Sequence, residues 1–165
     1  MDVIVRPLEQ ADLSVACAIN QANVPEVGDA TVEHLAWLVD ESDVSLVAQA
    51  DGQLVGHLIA LCPGSTYTSP NYTWFAARYD DFLYVDRIAV IATARHGGVA
   101  SMLYDAAEEH ARQRGTPMLA CEVNVRPRNE ASLRFHEGRG FRPVGEQETY
   151  GDAIRVCLLA KDVGR

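Results

Sequence analysis

The sequence predicts a single α/β domain, 1–165, in which apolar strand-like runs alternate with helical patterns. The apolar run from Phe82 to Val90 is typical of a buried strand, and the segment after it repeats its apolar residues at three- and four-residue steps, as a helix does. Earlier in the chain, Asp51-Gly52 separates two apolar runs, which is typical of a β-hairpin turn. A length of 165 residues suits one domain with a sizeable core.

The N-terminal third of the chain predicts strands and helices in the order β, α, α, β, β. Asp12 stands where it can cap or open a helix, since its side-chain oxygens can accept hydrogen bonds from free first-turn amides, and Thr31 starts a second helix. The predicted elements are a strand at 3–6, a helix from Asp12 to about Asn20, a loop at 21–30, a helix from Thr31, and strands at 45–50 and 54–61.

An aromatic-rich segment, 62–80, follows the hairpin and is predicted to be a long loop. It combines prolines and polar residues with five aromatic side chains, and this aromatic content argues against disorder. Its role stays open between a wall of an acceptor pocket, a cover packed on the sheet, and a contact between two copies of the chain. Aromatic rings in a pocket wall would attract a cationic amine.

A glycine pair, Gly97-Gly98, lies between the strand at 82–90 and a predicted helix from Gly98 to Arg114. The first amides of a helix have no intrahelical partner and lie at the positive end of its dipole, and glycine lets an anion approach them. The turn therefore predicts either a phosphate site or a plain connection. The patterns G-x-x-x-x-G-K-[ST] and G-x-G-x-x-G are both absent, which disfavours a nucleoside triphosphate or NAD.

The rest of the chain predicts three strands and one short helix. Gly115 suits the end of the preceding helix, and Asn129 can cap the short one. The predicted elements are a strand at 118–123, a loop at 124–128, a helix from 129 or 130 to 138 or 140, and strands at 142–147 and 153–159.

Two motifs carry a resemblance to a known family. Arg95-His96-Gly97-Gly98-Val99-Ala100 resembles the R/Q-x-x-G-x-G/A signature of the GCN5-related N-acetyltransferases, the GNAT superfamily. The segment from Asn129 to Phe141 resembles the family's N-x-x-A/S-x-x-F/L-Y-x-x-x-G-F motif, in the family's order and at about its spacing. The resemblance covers nearly the whole chain. It implies a mixed sheet of six or seven strands, flanked by about four helices, in which only the strands at 82–90 and 118–123 are parallel and splayed.

The resemblance also implies that the protein uses acetyl-CoA. The turn at 95–100 would cradle the pyrophosphate, the preceding strand would offer its backbone to the pantetheine arm, and the helix of the second motif would bond the pantetheine region. Three arginines beside that motif, Arg126, Arg128 and Arg134, are placed to meet an anionic cofactor tail. The implied cofactor-binding residues are Ile88, Ala89, Val90, Arg95, His96, Gly97, Gly98, Val99, Ala100, Asn129 and Ser132.

Three residues are candidates for proton transfer. His136 stands where the family most often has the tyrosine thought to protonate the departing thiolate, and an imidazolium with a pKa near about 6.5 suits that task. Glu122 resembles the strand glutamate that serves as base in ribosomal-protein acetyltransferases. Asp86 is the competing base, unless it pairs with Arg87 or Arg78. Packing inside a helix for His136 and plain surface exposure for Glu122 are the structural alternatives.

Composition narrows the function classes. A net charge of −9 argues against a general nucleic-acid binder and is compatible with a cationic acceptor, although solubility also explains it. No apolar run reaches the roughly 18 residues of a membrane span, and the chain does not begin with an apolar signal segment. Four cysteines without a C-x-x-C pair are typical of reduced thiols and not of a metal site. The expectation is a cytoplasmic protein that acts without metal, membrane or nucleic acid.

The expected function is acetyl-CoA-dependent transfer of an acetyl group to a primary amine, on a small molecule or a peptide, by direct attack. A non-catalytic acyl-CoA-binding or regulatory module on the same fold is the alternative, because His136 replaces the usual tyrosine. An RNA- or protein-interaction domain without cofactor is disfavoured by the acidic balance and the intact glycine turn. The identity of the amine and the oligomeric state, a homodimer included, stay open.

Overall fold

Seven strands form one mixed sheet, and five helices cover its two faces, in the computed structural model, which describes residues 2–164. The strands are β1 (Val3–Pro7), β2 (Val44–Ala50), β3 (Gln53–Leu61), β4 (Leu83–Val90), β5 (Met118–Arg126), β6 (Arg142–Thr149) and β7 (Ile154–Asp162). The helices are α1 (Leu13–Gln21), α2 (Val32–Glu41), α3 (Pro70–Ala76), α4 (Val99–Arg114) and α5 (Glu130–Gly138). None of these helices is long and apolar enough to span a membrane.

The order of strands across the sheet is β1-β2-β3-β4-β5-β7-β6. Every neighbouring pair is antiparallel except β4 and β5. These two strands are paired only at Leu83–Leu119 and Tyr84–Ala120, and then diverge toward their C-terminal ends. The prediction of a mixed sheet with one parallel, splayed pair is confirmed.

The two faces of the sheet bury separate cores. On one face α4 packs against the strands through side chains such as Val99 and Leu103, with α5 beside it. On the other face α3 packs through Tyr72 and Phe75, and α1 and α2 cover the neighbouring part of the sheet around Ile59. Alternate residues of each central strand point to opposite cores, so these strands are apolar on both faces.

Three predicted helix ends are confirmed by their hydrogen bonds. The Thr31 hydroxyl accepts from the amide of His34 at 3.1 Å, and the Asn129 side chain accepts from the amide of Ser132 at 3.2 Å. Gly115 ends α4 in the left-handed region, with φ 73°. Asn129 therefore fixes where α5 begins, and with it the direction of the second motif.

The prediction that Asp12 caps or opens α1 is confirmed in position only, because Asp12 is the N-cap residue of α1 but its side chain makes no capping bond. Asp12 lies in a 3₁₀ turn, Gln10–Asp12. Its carboxylate instead accepts from Arg6 on β1 at 2.8 Å and from the amide of Glu9 at 2.8 Å. The Arg6 guanidinium donates to both carboxylate oxygens and both partners are charged, whereas a capping bond would join the carboxylate to a neutral amide, so the tertiary partner is preferred.

Two other boundaries differ from the prediction. The aromatic-rich segment contains α3, which makes five helices instead of about four; Pro70 stands at its first position, and Tyr72 and Phe75 are buried three residues apart. β5 continues past Val123 to Arg126, so 124–128 is not wholly a loop. This extension forms because β7 pairs with it, a long-range contact that local composition does not reveal.

Candidate functional site

A cleft of about 850 Å³ opens where β4 and β5 diverge. One wall is formed by the turn before α4, by α4 itself and by α5; we call it the α4–α5 side (residues 94–104 and 129–136). The opposite wall is the loop after α1, which we call the α1–α2 side (residues 22–28). Side chains of β4 and β5 lie between the two walls.

The cleft brings the predicted site residues together. All of them line it except Ala89 and Gly97, and this includes the three catalytic candidates. The side chain of Ala89 is buried on the sheet beside His57, and the amide of Gly97 donates to the carbonyl of Ala94 at 3.3 Å. The neighbours Ile88, Val90, Gly98 and Val99 do face the cleft, so these two absences leave the predicted surface continuous.

The turn before α4 presents main-chain amides to the cleft. Gly98 has φ 79° and no side chain caps the helix, whose first intrahelical bond runs from the amide of Met102 to the carbonyl of Gly98 at 3.0 Å. The amides of Val99, Ala100 and Ser101 precede that bond and have no helical partner. A Cβ added to Gly98 would meet nothing within 4 Å, so the space is open for a ligand. These features fit a diphosphate.

The edge of β4 that faces the cleft supplies further backbone groups. Beyond Tyr84 this edge has no strand partner on the β5 side. Asp86 is an extra residue in the β3–β4 ladder, since Ile59 pairs with Arg87 and Ala60 with Val85. Backbone polar groups without a strand partner need water or a ligand. The geometry therefore fits the predicted pairing of this strand with an extended amide-containing group.

The three arginines near the second motif point elsewhere. Arg126 pairs with Glu148 at 3.2 Å, while Arg128 and Arg134 both pair with Glu130, at 2.6 and 3.1 Å. All three are exposed, and none lines the cleft. The cleft-facing arginine near the turn is Arg95, which donates to the side chain of Asn23 at 2.8 Å.

Glu122 is a carboxylate that lies in the cleft and is hydrogen-bonded to a tyrosine. The hydroxyl of Tyr84 donates to Oε2 of Glu122 at 2.6 Å. Burial raises the pKa of Glu122 to about 8, although the bond from Tyr84 opposes the shift, and nearby Asp86 adds to it. A carboxylate whose pKa lies near neutral pH is suited to accept a proton from an incoming group.

Both carboxylate oxygens of Asp86 accept hydrogen bonds from other side chains. Its Oδ2 accepts from Nε of Arg87 at 2.8 Å and its Oδ1 accepts from the hydroxyl of Tyr67 at 2.7 Å, with about 4% of its side chain exposed. Its partner is therefore Arg87 and not Arg78, which instead lies 4.1 Å over the ring of Trp74. With both oxygens engaged, Asp86 has less capacity to accept a proton than Glu122.

Arg87 ties the ion pair to the α1–α2 side. Its Nη1 donates to the side chain of Asn20 at 3.0 Å and to the carbonyl of Gly28 at 3.3 Å. The aromatic-rich segment lies behind this pair: within residues 2–164 no member of 62–80 lines the cleft, and Tyr67, Tyr72 and Phe75 pack on the sheet. Of the three roles considered for the segment, the structure shows the packed cover.

His136 is buried at the inner end of the α4–α5 side, with 3% of its surface exposed. Its Nδ1 lies 2.7 Å from the carbonyl of Ser132, and its Nε2 lies 2.7 Å from the hydroxyl of Tyr104. Burial lowers the pKa of His136; the bond to Ser132 opposes this, and the Arg139 guanidinium adds to it. The ring is enclosed edge-on by Tyr104, Phe135 and Phe141, with centroids 5.2–5.4 Å away.

Sequence reasoning missed two tyrosines of this site. Tyr84 holds Glu122, and Tyr104 holds His136. Tyr104 lies one helical turn after Ala100, so the helical spacing already placed it on the face of α4 that carries the motif. Tyr84 left no such signal, because its bond to Glu122 joins residues 38 positions apart.

Comparisons with known proteins agree with this geometry. The model of the acetyltransferase (GNAT) family matches residues 12–141. The fold is similar to Ard1 from Thermoplasma volcanium (TM-score 0.82, 18% identity, 100% of both chains) and to the ribosomal-protein-S18-alanine N-acetyltransferase from Escherichia coli (TM-score 0.77, 17% identity, 99% of this chain and 96% of that chain). It is also similar to a chain of the NatC complex bound to Gag peptide and CoA (TM-score 0.78, 16% identity, 99% of this chain and 100% of that chain).

A search of curated proteins found no match. At 16–18% identity the solved structures show a shared fold and no more. The family model, in contrast, covers well over half of the residues and includes both motifs. The first strand and the closing hairpin lie outside the matched range. The protein therefore belongs to the acetyltransferase (GNAT) family.

Proposed function

We propose that the protein is an acetyl-CoA-dependent N-acetyltransferase that acts on a primary amine by direct attack. The observation that carries this proposal is the cleft between β4 and β5, into which the free amides of α4 and the half-buried carboxylate of Glu122 both open. One end of the cleft suits an anionic cofactor, and the other end supplies a proton acceptor. The splayed strands lie between the two ends.

Acetyl-CoA, when bound, supplies the acetyl group as an activated thioester. The amides at Val99 and Ala100 and the guanidinium of Arg95 would hold its pyrophosphate. The free edge of β4 would pair with the pantetheine arm, and Asn129 and Ser132 would face that arm from α5. A backbone amide of the same edge would donate to the oxygen on which negative charge develops.

Glu122 is the proposed general base. It takes the proton of the attacking amine on Oε1, while Tyr84 keeps Oε2 in place. A pKa of about 8 leaves part of Glu122 ionised at neutral pH and makes that fraction a good proton acceptor. No covalent enzyme intermediate is needed, because the amine attacks the thioester itself.

The charge of the acceptor end favours an amine. Glu26, Asp86 and Glu122 line it, and the one cation among them, Arg87, is already paired with Asp86. Glu26 and the ionised fraction of Glu122 are not neutralised by this pair, so they attract a cationic group and raise its local concentration. The acceptor is a small-molecule or peptide amine that gives up its proton to Glu122 inside the cleft.

Release of free thiol from acetyl-CoA in the presence of a panel of amines tests the proposal, with the acetylated product identified by mass spectrometry. The panel spans amino acids, polyamines and peptides with free N-termini. We expect thiol release that depends on both acetyl-CoA and one class of amine. Tight binding of acetyl-CoA in calorimetry without acetylation of any amine would instead favour the non-catalytic acyl-CoA-binding module.

A further inference from the structure

We propose that Tyr104 on α4 hands the proton to the leaving thiolate, and that His136 acts only through Tyr104. This inference rests on the acetyl transfer proposed above. It differs from the expectation for His136, because the group that meets the sulfur comes from another helix. Tyr104 and His136 both line the α4–α5 side of the cleft, with the hydroxyl and Nε2 2.7 Å apart.

The hydrogen bonds of His136 fix its tautomer. Nδ1 lies 2.7 Å from the carbonyl oxygen of Ser132, and a carbonyl can only accept, so Nδ1 carries a hydrogen. Nε2 is then the nitrogen that gains or loses a proton. Its partner is the hydroxyl of Tyr104, and within residues 2–164 no other group is bonded to it. Any proton that leaves the imidazolium therefore passes to Tyr104 first.

The proposed transfer moves one proton along two bonds. As the C–S bond breaks, its electron pair goes to the sulfur, and the hydroxyl of Tyr104 gives its proton to that sulfur. The same oxygen takes the Nε2 proton of the imidazolium, which leaves His136 neutral with its Nδ1–H bond to Ser132 intact. Water returns the proton held by Glu122 to the pair. The net result is that one proton moves from the amine nitrogen to the thiol.

The surroundings of the pair set its pH dependence. The groups that face it are Cys121 and Glu122 on β5 and Arg139 after α5. Burial and Arg139 lower the pKa of His136, so its imidazolium is lost as pH rises, whereas Glu122 gains its charge only near pH 8. Between the two pKa values, the growing ionised fraction of Glu122 offsets the shrinking imidazolium fraction of His136. Above about 8 only the loss of imidazolium remains. The wild-type kcat/KM therefore falls above that pH.

Tyr104→Phe tests the transfer in the full-length protein. We expect kcat to fall by about 10²-fold, the lower range for loss of one general acid. The ratio of variant to wild-type kcat/KM should also rise with pH, because the variant no longer needs the imidazolium. His136→Gln should change the ratio in the same way, and the double variant should be no slower than Tyr104→Phe, since both residues serve one path.

A second measurement does not depend on turnover. If Tyr104 contacts the sulfur, calorimetry should show that the wild type binds CoA more tightly than desulfo-CoA, by several-fold, and that Tyr104→Phe binds both equally. Tyr72→Phe is the matched control: this buried hydroxyl donates to the carbonyl of Cys62 at 2.7 Å and does not line the cleft. We expect the control to retain the wild-type ratio and preference.

Wild-type kcat in Tyr104→Phe, or a kinetic ratio that does not vary with pH, would overturn the inference. If Tyr104→Phe fails to fold, His136→Gln carries the kinetic measurement, and the preference of the wild type for CoA over desulfo-CoA still tests the contact with sulfur. A wild type that acetylates no amine but prefers CoA over desulfo-CoA, with the preference lost in Tyr104→Phe, would refute the proposed function and still support the contact with sulfur. Equal binding of CoA and desulfo-CoA by the wild type would refute that contact.

Discussion

The α4–α5 side of the cleft and the strands β4 and β5 at its centre contribute different kinds of chemical group. On the α4–α5 side the main groups are backbone amides, positioned by local features such as the left-handed Gly98 and the Asn129 cap. Between the two walls, on β4 and β5, they are the charged side chains of Asp86, Arg87 and Glu122, each bonded to a residue distant in the chain. The groups of the α4–α5 side therefore depend on backbone conformation, and those of the two strands depend on tertiary packing. Substitutions on the α4–α5 side should mainly change cofactor affinity, whereas substitutions of the charged strand residues should mainly change turnover or stability.

Glu122→Gln should have the largest effect, because it removes a charge whose neutral isostere cannot accept a proton. We expect kcat to fall by about 10²–10⁴-fold in steady-state assays, with acetyl-CoA affinity unchanged. Glu109→Gln, an exposed change on α4, is the control. Unchanged turnover in Glu122→Gln would shift the role of base to Asp86 or to water.

The same variant should gain stability at alkaline pH. The pKa of Glu122 is about 8 in the folded protein and about 4.5 when the side chain is free, so the native state holds an extra proton between these values. Wild-type stability therefore falls as pH rises from about 4.5 to about 8. Denaturant unfolding at pH 9 should show Glu122→Gln as the more stable protein, which links lost turnover to gained stability.

Asp86→Asn should mainly cost stability. Its partner Arg87 is 5% exposed and would keep an uncompensated charge, so we expect a loss of about 3–5 kcal/mol in the free energy of unfolding. Glu148→Gln breaks exposed pairs with Arg126 and Arg155 and should cost less than about 1 kcal/mol. A stable Asp86→Asn that is nonetheless inactive would instead mark Asp86 as the base.

Acid should destabilise the folded protein through His57. This side chain is fully buried on β3, and within residues 2–164 neither ring nitrogen has a hydrogen-bond partner. Burial, reinforced by the charge of Arg87, lowers the pKa of His57 to about 4. Its contribution to stability is complete above about 6.5 and is lost as pH falls toward 4, by about 3 kcal/mol in all.

Unfolding curves between pH 7 and pH 4 should therefore be flatter for His57→Met than for the wild type. His110→Gln, at an exposed position on α4, should follow the wild type. Parallel curves for His57→Met and wild type would show that other groups cause the acid sensitivity.

The features that could be predicted from the sequence lie mostly on the α4–α5 side, and those that could not depend on long-range contacts. The turn at 95–100 and the Asn129 cap were predictable because glycine conformation and capping are properties of a few adjacent residues, and the splayed pair was predictable only from the resemblance to the family. α3, the end of β5 and the partners of Glu122 were not, because each depends on a strand or helix far along the chain. For Asp86, the sequence left two partners open, and only the folded structure, which places Arg78 over the ring of Trp74, decides for Arg87.

The smallest effect we predict tests the α4–α5 side directly. Gly98→Glu introduces a carboxylate where the free amides of α4 point, and calorimetry should show acetyl-CoA binding weaker by about 2 kcal/mol or more. Part of any effect would come from forcing a side chain into φ 79°. Gly52→Glu separates this contribution, because Gly52 has φ 81°, equally open surroundings and a place in the β2–β3 turn outside the cleft. Both variants should lose similar folding stability, and only Gly98→Glu should lose affinity. Equal affinity in the two variants would show that the turn does not bind the cofactor.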